Sequence, residues 1–339
     1  MSKSKSGKRF PAAKTHVHIE NNRDLGNVFD FTKAALSAAQ KRNPASRKRL
    51  TFTVGYDGDS LEGALRTADA LIGWNFDRAD LARRAPRLKW VHSIGAGVEH
   101  MLPLDWMPGG VTLTNNRGVH AERAMEYVAA VVLMLNNRIP EMVTHQQQAR
   151  WVLNYNTSIR GKTLLILGVG SIGAAAARWA TGFGLDVIGI RRSGKPRRGV
   201  RVMHRPSALR RLLPRADFVL VATPDTDETH RMLGRAEIGL LKRGAGLVNV
   251  GRAGVVDYEA LSERLRAGEL SAVLDVFDPE PLPSESPLWR TPNLIITPHS
   301  SLDDPGYYVP RTLDLIIENA LRLADKKPLK NRVDPKRQY

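Results

Sequence analysis

The chain has 339 residues, 42% of them hydrophobic, and carries 51 Lys and Arg against 34 Asp and Glu, a formal net charge of +17. That apolar content in a chain of this length can bury substantial cores and suggests two domains, which excludes a disordered protein. There is no cysteine, so a disulfide framework, a thiolate metal site and a thiol nucleophile are all excluded, and no metal site is expected. No apolar run approaches the ~20 residues needed to span a bilayer. The N-terminal MSKSKSGKRF has no apolar stretch of a secretory leader, and a cytoplasmic protein without membrane association is the expectation.

In chain order, Thr15 to Ile19, Leu50 to Tyr56, Ala70 to Trp74, Lys89 to Ile94 and Val111 to Asn115 read as short strands, with polar or Ala-rich helical segments between several of them. From about His120 a longer helical pattern, Glu122 to Asn137, leads to Pro140 and a second helix that ends near Trp151. An apolar run, Gly161 to Leu167, precedes an Ala-rich helix, Ala174 to Thr181, and a strand, Leu185 to Ile190. Further strands follow at Phe218 to Ala222, Gly246 to Val250, Ser271 to Asp275 and Asn293 to Thr297, and a last long helix at Val309 to Ala324. Such alternation of strand and helix indicates an α/β fold with parallel sheets.

The first segment with chemistry is Gly168-Val169-Gly170-Ser171-Ile172-Gly173, between a strand and an Ala-rich helix. Gly168 allows the tight turn, Gly170 removes the side chain where a pyrophosphate must approach, and Gly173 lets the helix pack closely on the strand. The free N–H groups of Ser171, Ile172 and their neighbours then face the phosphates. At the end of the next strand a cofactor with a free ribose 2′-hydroxyl usually meets Asp or Glu. This chain instead reads Arg191-Arg192-Ser193. Two guanidiniums and a hydroxyl suit a 2′-phosphate, so NADP is preferred over NAD.

The excess charge is concentrated. Ten basic and no acidic residues lie between Arg191 and Arg215, and Lys3, Lys5, Lys8, Arg9 and Lys14 make a basic tail. No aromatic interleaving, helix-turn-helix or zinc-finger spacing accompanies them, so no specific nucleic-acid site is expected. Attraction of a dinucleotide and of a small anionic acid accounts for the charge more simply.

The stretches APRLKWVHSIGAGVEH, NNRGVHAERAMEYVAAVVLML, IRGKTLLILGVGSIG, LKRGAGLVNVGRAGVVDYEAL, LDVFDPEPLPSESPLW and NLIITPHS resemble the D-2-hydroxyacid dehydrogenase family, and within it most the glyoxylate/hydroxypyruvate reductases. The resemblance covers roughly residues 70 to 335. It implies two Rossmann-like or flavodoxin-like domains with parallel sheets, the cofactor domain being inserted into a discontinuous substrate domain. The substrate domain would comprise 1–118, with a basic flexible tail at about 1–13, and the return segment 301–339. The NAD(P)-binding domain would span 119–300, with the active-site cleft between the two domains. The helical stretch His120 to Trp151 resembles the family's dimer arm and implies a homodimer.

Reduction of a 2-oxo acid needs a proton donor at the carbonyl oxygen and a cation at the carbonyl and carboxylate. By the resemblance, His299 is the acid, Glu280 holds its imidazole and favours the protonated form, and Arg252 binds the substrate carboxylate and polarises the ketone. Asp278 lies two residues from Glu280 and could take its role. Ala96, Gly97 and Val98, in Ile94-Gly95-Ala96-Gly97-Val98, match a nest of backbone amides for the carboxylate. Asp275 resembles the residue that meets the nicotinamide carboxamide, Thr223, Pro224 and Thr226 the loop against the cofactor ribose, and Val250, Gly251, Arg252 and His299 complete the cofactor-facing set. Taken singly, each of these residues could have an ordinary structural role; their order and flanks carry the reading.

The chain departs from its relatives after the histidine, where Ser300-Ser301-Leu302-Asp303-Asp304 replaces a small apolar pair and often an aromatic. A more polar wall leaves the oxo acid open, with a larger 2-hydroxy acid as one alternative. A dinucleotide-binding corepressor or scaffold of the same fold is the other. Formate dehydrogenases, with Gln where Glu280 stands, are disfavoured.

Overall fold

The computed structural model describes residues 14–337; the basic tail expected at about 1–13 lies outside the described residues. The described residues form two compact units, one built from 14–117 and 305–337, the other from Gly118–Asp304.

The first unit holds five strands, β1 (Thr15–Asn21), β2 (Leu50–Tyr56), β3 (Ala70–Gly73), β4 (Trp90–Ser93) and β5 (Thr112–Asn115). They pair in parallel in the order β2-β1-β3-β4-β5. Every residue of β3 and β4 is buried, as expected of central parallel strands covered on both faces. The helices are α1 (Lys33–Arg42), α2 (Pro44–Arg49), α3 (Leu61–Leu65), α4 (Leu81–Arg84) and α11 (Tyr308–Ala324). The Thr32 hydroxyl accepts from the Ala35 amide and starts α1. In α11, Val309, Leu313, Ile316, Ile317 and Ala320 recur at three- and four-residue spacing and are buried, which fixes the face this helix turns inward.

The second unit has seven strands, β6 (Thr163–Leu167), β7 (Asp186–Ile190), β8 (Val202–His204), β9 (Phe218–Val221), β10 (Ala245–Asn249), β11 (Leu270–Leu274) and β12 (Leu294–Ile296). Their order is β12-β11-β10-β9-β6-β7-β8, all parallel. Its helices are α5 (Ala121–Asn136), α6 (Ile139–Gln147), α7 (Ser171–Gly182), α8 (Leu209–Leu212), α9 (Arg235–Gly239) and α10 (Tyr258–Arg266). Strand alternation divides the core into two layers. Leu164 and Ile166 pack with Val128 and Val132 of α5 and Ala176 and Ala177 of α7. Leu165 and Leu167 pack with Leu212 of α8 and Leu261 and Leu265 of α10. The strand order reverses between β6 and β9, and a ligand crevice forms at the carboxyl ends of strands at such a switch point.

The α/β class and the two parallel sheets agree with the sequence reading. Strand ends differ from it by a residue or two, where pairing gives way to loops. Two differences have local causes. β8 lies inside the basic stretch, and a three-residue, half-buried edge strand is too short to show a period. The second helix stops at Gln147 rather than near Trp151. Ala149 takes φ +51 and the Arg150 amide returns to the His145 carbonyl, a six-to-one closure of the kind that ends helices. Trp151, Leu153 and Tyr155 beyond it are 93%, 68% and 89% exposed. Among the described residues no helix is long and apolar enough to cross a membrane, and no cluster of His, Asp and Glu could hold a metal.

Candidate active site

The glycine loop leaves β6 at the switch point. Gly168 adopts φ +94, and a Cβ there would stand 2.6 Å from the Ala222 carbonyl oxygen. A Cβ on Gly173 would stand 2.3 Å from the Gly168 carbonyl oxygen, so this glycine is fixed by helix-on-strand packing. Around Gly170 nothing lies within 4 Å of that position. No side chain caps α7 and no acid sits in its first turn. The amide end of a 12-residue helix, which begins with Ser171 and Ile172, therefore faces open space suited to an anion.

The loops after β9 and β10 form the next wall. A Cβ on Gly251, which follows Val250, would lie 2.5 Å from the Thr223 carbonyl oxygen, so the two loops touch. The Thr229 hydroxyl donates to the Pro224 carbonyl at 2.6 Å and accepts from the Thr226 amide at 2.9 Å, fixing the Thr223 loop. The Thr223 hydroxyl is buried with no hydrogen-bond partner among the described residues, which leaves a polar atom for a ligand to satisfy. The open Gly170 cradle, the uncapped helix and this orphaned hydroxyl fit a dinucleotide.

Arg191, Arg192 and Ser193 follow β7 beside the glycine loop, since the Gly168 amide bonds the Ile190 carbonyl at 2.9 Å. The Arg191 amide bonds the His204 carbonyl at 3.0 Å. Arg192 meets a residue that the sequence reading did not consider: its Nη2 lies 2.8 Å from Glu228 Oε1, both side chains being about half exposed. The ion pair joins the loops after β7 and β9. A separation of 36 positions hides it from any local pattern.

Arg252 follows β10. The buried Asn249 accepts the Gly251 amide at 3.0 Å and donates to the Arg252 carbonyl at 3.0 Å and to the Tyr258 hydroxyl at 2.9 Å. Tyr258 in turn donates to the Val276 carbonyl at 2.8 Å, and burial pushes its phenol up. This network sets the turn that presents Arg252 with extended backbone, and one guanidinium nitrogen bonds the Gly251 carbonyl at 2.8 Å.

His299 follows β12 in left-handed backbone, φ +48. Its Nδ1 lies 2.6 Å from Glu280 Oε2, and Glu280 Oε1 accepts the Phe277 amide at 2.7 Å. Of the two nearby acids, Glu280 rather than Asp278 makes the contact. The side chains are 46% and 34% exposed, so Nε2, the nitrogen turned away from the carboxylate, is the one left to meet a substrate. Asp275 is buried, accepts from the Thr297 hydroxyl at 2.6 Å and from the Ser301 hydroxyl, and burial raises its carboxyl above the usual range. Its two oxygens hold the segment that carries His299.

His120 and Tyr127 of the α5 region and Asp303 were also missed as site residues. Tyr127 bonds the Thr297 hydroxyl at 2.8 Å, and burial pushes its phenol up to about 12. His120 Nδ1 lies 3.2 Å from the Leu302 carbonyl and 3.4 Å from Asp303 Oδ1. Burial lowers the imidazole and raises the Asp303 carboxyl, and each also feels the charge of His299. The polar run after His299 was the available sequence signal for Asp303.

Within the first unit, Ala96, Gly97 and Val98 follow β4. Asn115 donates to the Ala96 carbonyl at 2.7 Å, the Asn116 amide to the Gly95 carbonyl at 2.8 Å, and Tyr308 to the Ile94 carbonyl. The amides of Ala96, Gly97 and Val98 donate no hydrogen bond among the described residues. The carbonyls are thus occupied and three consecutive donors remain, as an anion nest requires.

Comparisons with known proteins come from sequence and from structure. A family profile described as "D-isomer specific 2-hydroxyacid dehydrogenase, NAD binding domain" matches residues 129–301. The chain is 33% identical over 255 residues to a glyoxylate reductase of Aeropyrum pernix, covering 72% of this chain and 76% of that protein. It is 35% identical over 245 residues to glyoxylate/hydroxypyruvate reductase B of Pectobacterium atrosepticum, covering 70% and 76%. A D-isomer specific 2-hydroxyacid dehydrogenase from Xanthobacter autotrophicus Py2, solved with NADPH and MES, superposes with a TM-score of 0.83 at 32% identity, over 96% of this chain and 100% of that one. An NADPH-dependent glyoxylate/hydroxypyruvate reductase from Sinorhizobium meliloti, solved with NADP and sulfate, gives 0.78 at 28% identity over the same shares.

Proposed function

The chain belongs to the D-isomer specific 2-hydroxyacid dehydrogenase family, and from that premise we propose that it reduces a small 2-oxo acid to the D-2-hydroxy acid, with glyoxylate and hydroxypyruvate as leading substrates and NADPH preferred over NADH. The observation that carries this reading is the His299–Glu280 contact at 2.6 Å, in the same unit as Arg252 and the open glycine loop.

Each residue then has a chemical task. The Arg252 guanidinium binds the substrate carboxylate through its planar fork and polarises the adjacent ketone. The His299 Nε2–H donates the proton that the carbonyl oxygen takes up as the carbon is reduced. Glu280 holds Nδ1–H, orients the ring and stabilises the positive charge it carries before proton transfer. In the oxidative direction the same nitrogen accepts the hydroxyl proton. A nicotinamide dinucleotide, when bound, would supply the hydride. The α7 amide end with Gly168, Gly170, Ser171, Ile172 and Gly173 would hold its pyrophosphate. Thr223, Pro224 and Thr226 would face the ribose, Val250, Gly251 and Asp275 would lie on the nicotinamide side, and Arg191, Arg192 and Ser193 would take the 2′-phosphate. By the family resemblance, the amides of Ala96, Gly97 and Val98 would also meet the substrate carboxylate. NADP complexes among the structural relatives and the lack of an acid at the end of β7 support the NADPH preference.

The substrate domain in this reading is discontinuous and the cofactor domain is the inserted one. A homodimer formed through the α5–α6 arm would cover the exposed Trp151, Leu153 and Tyr155. Substitution of His299 by Ala tests the chemical assignment: turnover should fall by about 10²- to 10⁴-fold, the usual cost of losing a general acid, with NADPH binding intact. Turnover near that of the unsubstituted protein would remove His299 from the mechanism.

A further inference from the structure

The segment that carries His299 is bracketed by hydrogen bonds from two other elements. Asp275, just beyond β11, takes the hydroxyls of Thr297 and Ser301, two residues on either side of His299. The second element is α5. Tyr127 bonds Thr297 at 2.8 Å, while His120 reaches the Leu302 carbonyl and the Asp303 carboxylate at 3.2 and 3.4 Å. Seven positions are close to two helical turns, so His120 at the start of α5 and Tyr127 lie along one face of the helix. His299 sits between these fixed points in left-handed backbone, a conformation that a non-glycine residue keeps only when its surroundings hold it.

We propose that His120 is a positioning residue for His299, acting with Tyr127 as a rail along α5 that sets where the 297–303 segment, and hence the reacting nitrogen, stands. The inference rests on the reductase reading. The charged groups whose fields reach His120 are Asp303 and His299 on the held segment and Arg252 after β10. Burial lowers the His120 imidazole below the ordinary histidine value, which favours its use as a neutral donor. The histidine is suited to this place because Nδ1 can reach a carbonyl and a carboxylate together. Asparagine presents an amide nitrogen at the same branch point, so it can replace the bond without an imidazole.

The test is steady-state kinetics with NADPH and glyoxylate on the full chain, together with the NADPH dissociation constant from fluorescence and the melting temperature. His120→Ala should lower kcat by about 10- to 100-fold, the scale of a misplacement near 1 Å, with the NADPH dissociation constant unchanged. His120→Asn should recover most of the loss. Tyr127→Phe, which deletes one hydroxyl and keeps the ring, should lower kcat in the same way and guards against a misfolded alanine variant. A kcat within twofold of the unsubstituted protein in both His120→Ala and Tyr127→Phe overturns the proposal, as does equal impairment of His120→Ala and His120→Asn. An unsubstituted protein that binds NADPH but turns over no oxo acid would instead defeat the reductase reading on which the inference depends.

Discussion

Glu280→Gln isolates one charge in the site. In the native arrangement Oε1 is anchored by the Phe277 amide at 2.7 Å and Oε2 meets His299 Nδ1 at 2.6 Å. Glutamine can keep the first bond with its amide oxygen, which turns its NH₂ toward Nδ1. Two donors then face each other unless the ring gives up its Nδ1 proton and accepts instead. The variant therefore keeps the shape of the site while opposing the doubly protonated imidazole. A charge-assisted hydrogen bond contributes about 1.5–3 kcal/mol. With the two side chains 46% and 34% exposed, solvent screening reduces this to about 1–2 kcal/mol. At about 1.4 kcal/mol per tenfold, kcat/KM for the oxo acid should fall about 5- to 30-fold. The assay is initial-rate NADPH oxidation at saturating cofactor, with the NADPH dissociation constant measured separately and expected to be unchanged. Asp278→Asn, two residues away and without the imidazole contact, should behave like the unsubstituted protein. Activity within twofold in Glu280→Gln, or an equal loss in Asp278→Asn, would refute the reasoning.

Two further outcomes follow from other parts of the molecule. Arg191→Ala should weaken NADPH about tenfold or more and NADH little, since a lost guanidinium–phosphate bond is a strong one, and Glu228→Gln should alter NADPH affinity by releasing Arg192 from its partner; equal changes for NADPH and NADH, measured by fluorescence titration, would return these residues to the status of solvated charges. His92, fully buried in β4, is lowered from 6.5 to about 3 by desolvation, so the folded state binds fewer protons than the unfolded one between those values. Stability from this group is complete above about pH 6.5 and declines as pH falls toward 3, by about 2 kcal/mol between pH 7 and pH 5. Urea-unfolding midpoints at the two pH values should show this loss, and His92→Asn should reduce it; an equal loss in the variant would assign the acid sensitivity to other groups.

Where physics is local, the sequence was informative. Gly168 and Gly173 occur where a turn and a helix-on-strand contact leave no room for a side chain, and such demands show within a few residues of chain. The buried strands read clearly because a strand covered on both faces must be apolar throughout, and turn residues mark where each such run ends. Contacts between distant segments were legible only through resemblance, as with Glu280 and His299, 19 residues apart. Where resemblance offered no guide they were missed. Glu228 on Arg192 and His120 on Leu302 and Asp303 each join segments that lie far apart in the chain. The overextended second helix has a different cause. The expected end was near Trp151, whereas Ala149 adopts the left-handed conformation usually left to glycine and stops the helix earlier.

The most direct measurement is the initial rate of cofactor oxidation with glyoxylate and hydroxypyruvate, comparing NADPH with NADH. Fast turnover with NADPH and slower turnover with NADH is the predicted result. Demonstrable dinucleotide binding with no turnover of either acid by either cofactor would contradict it.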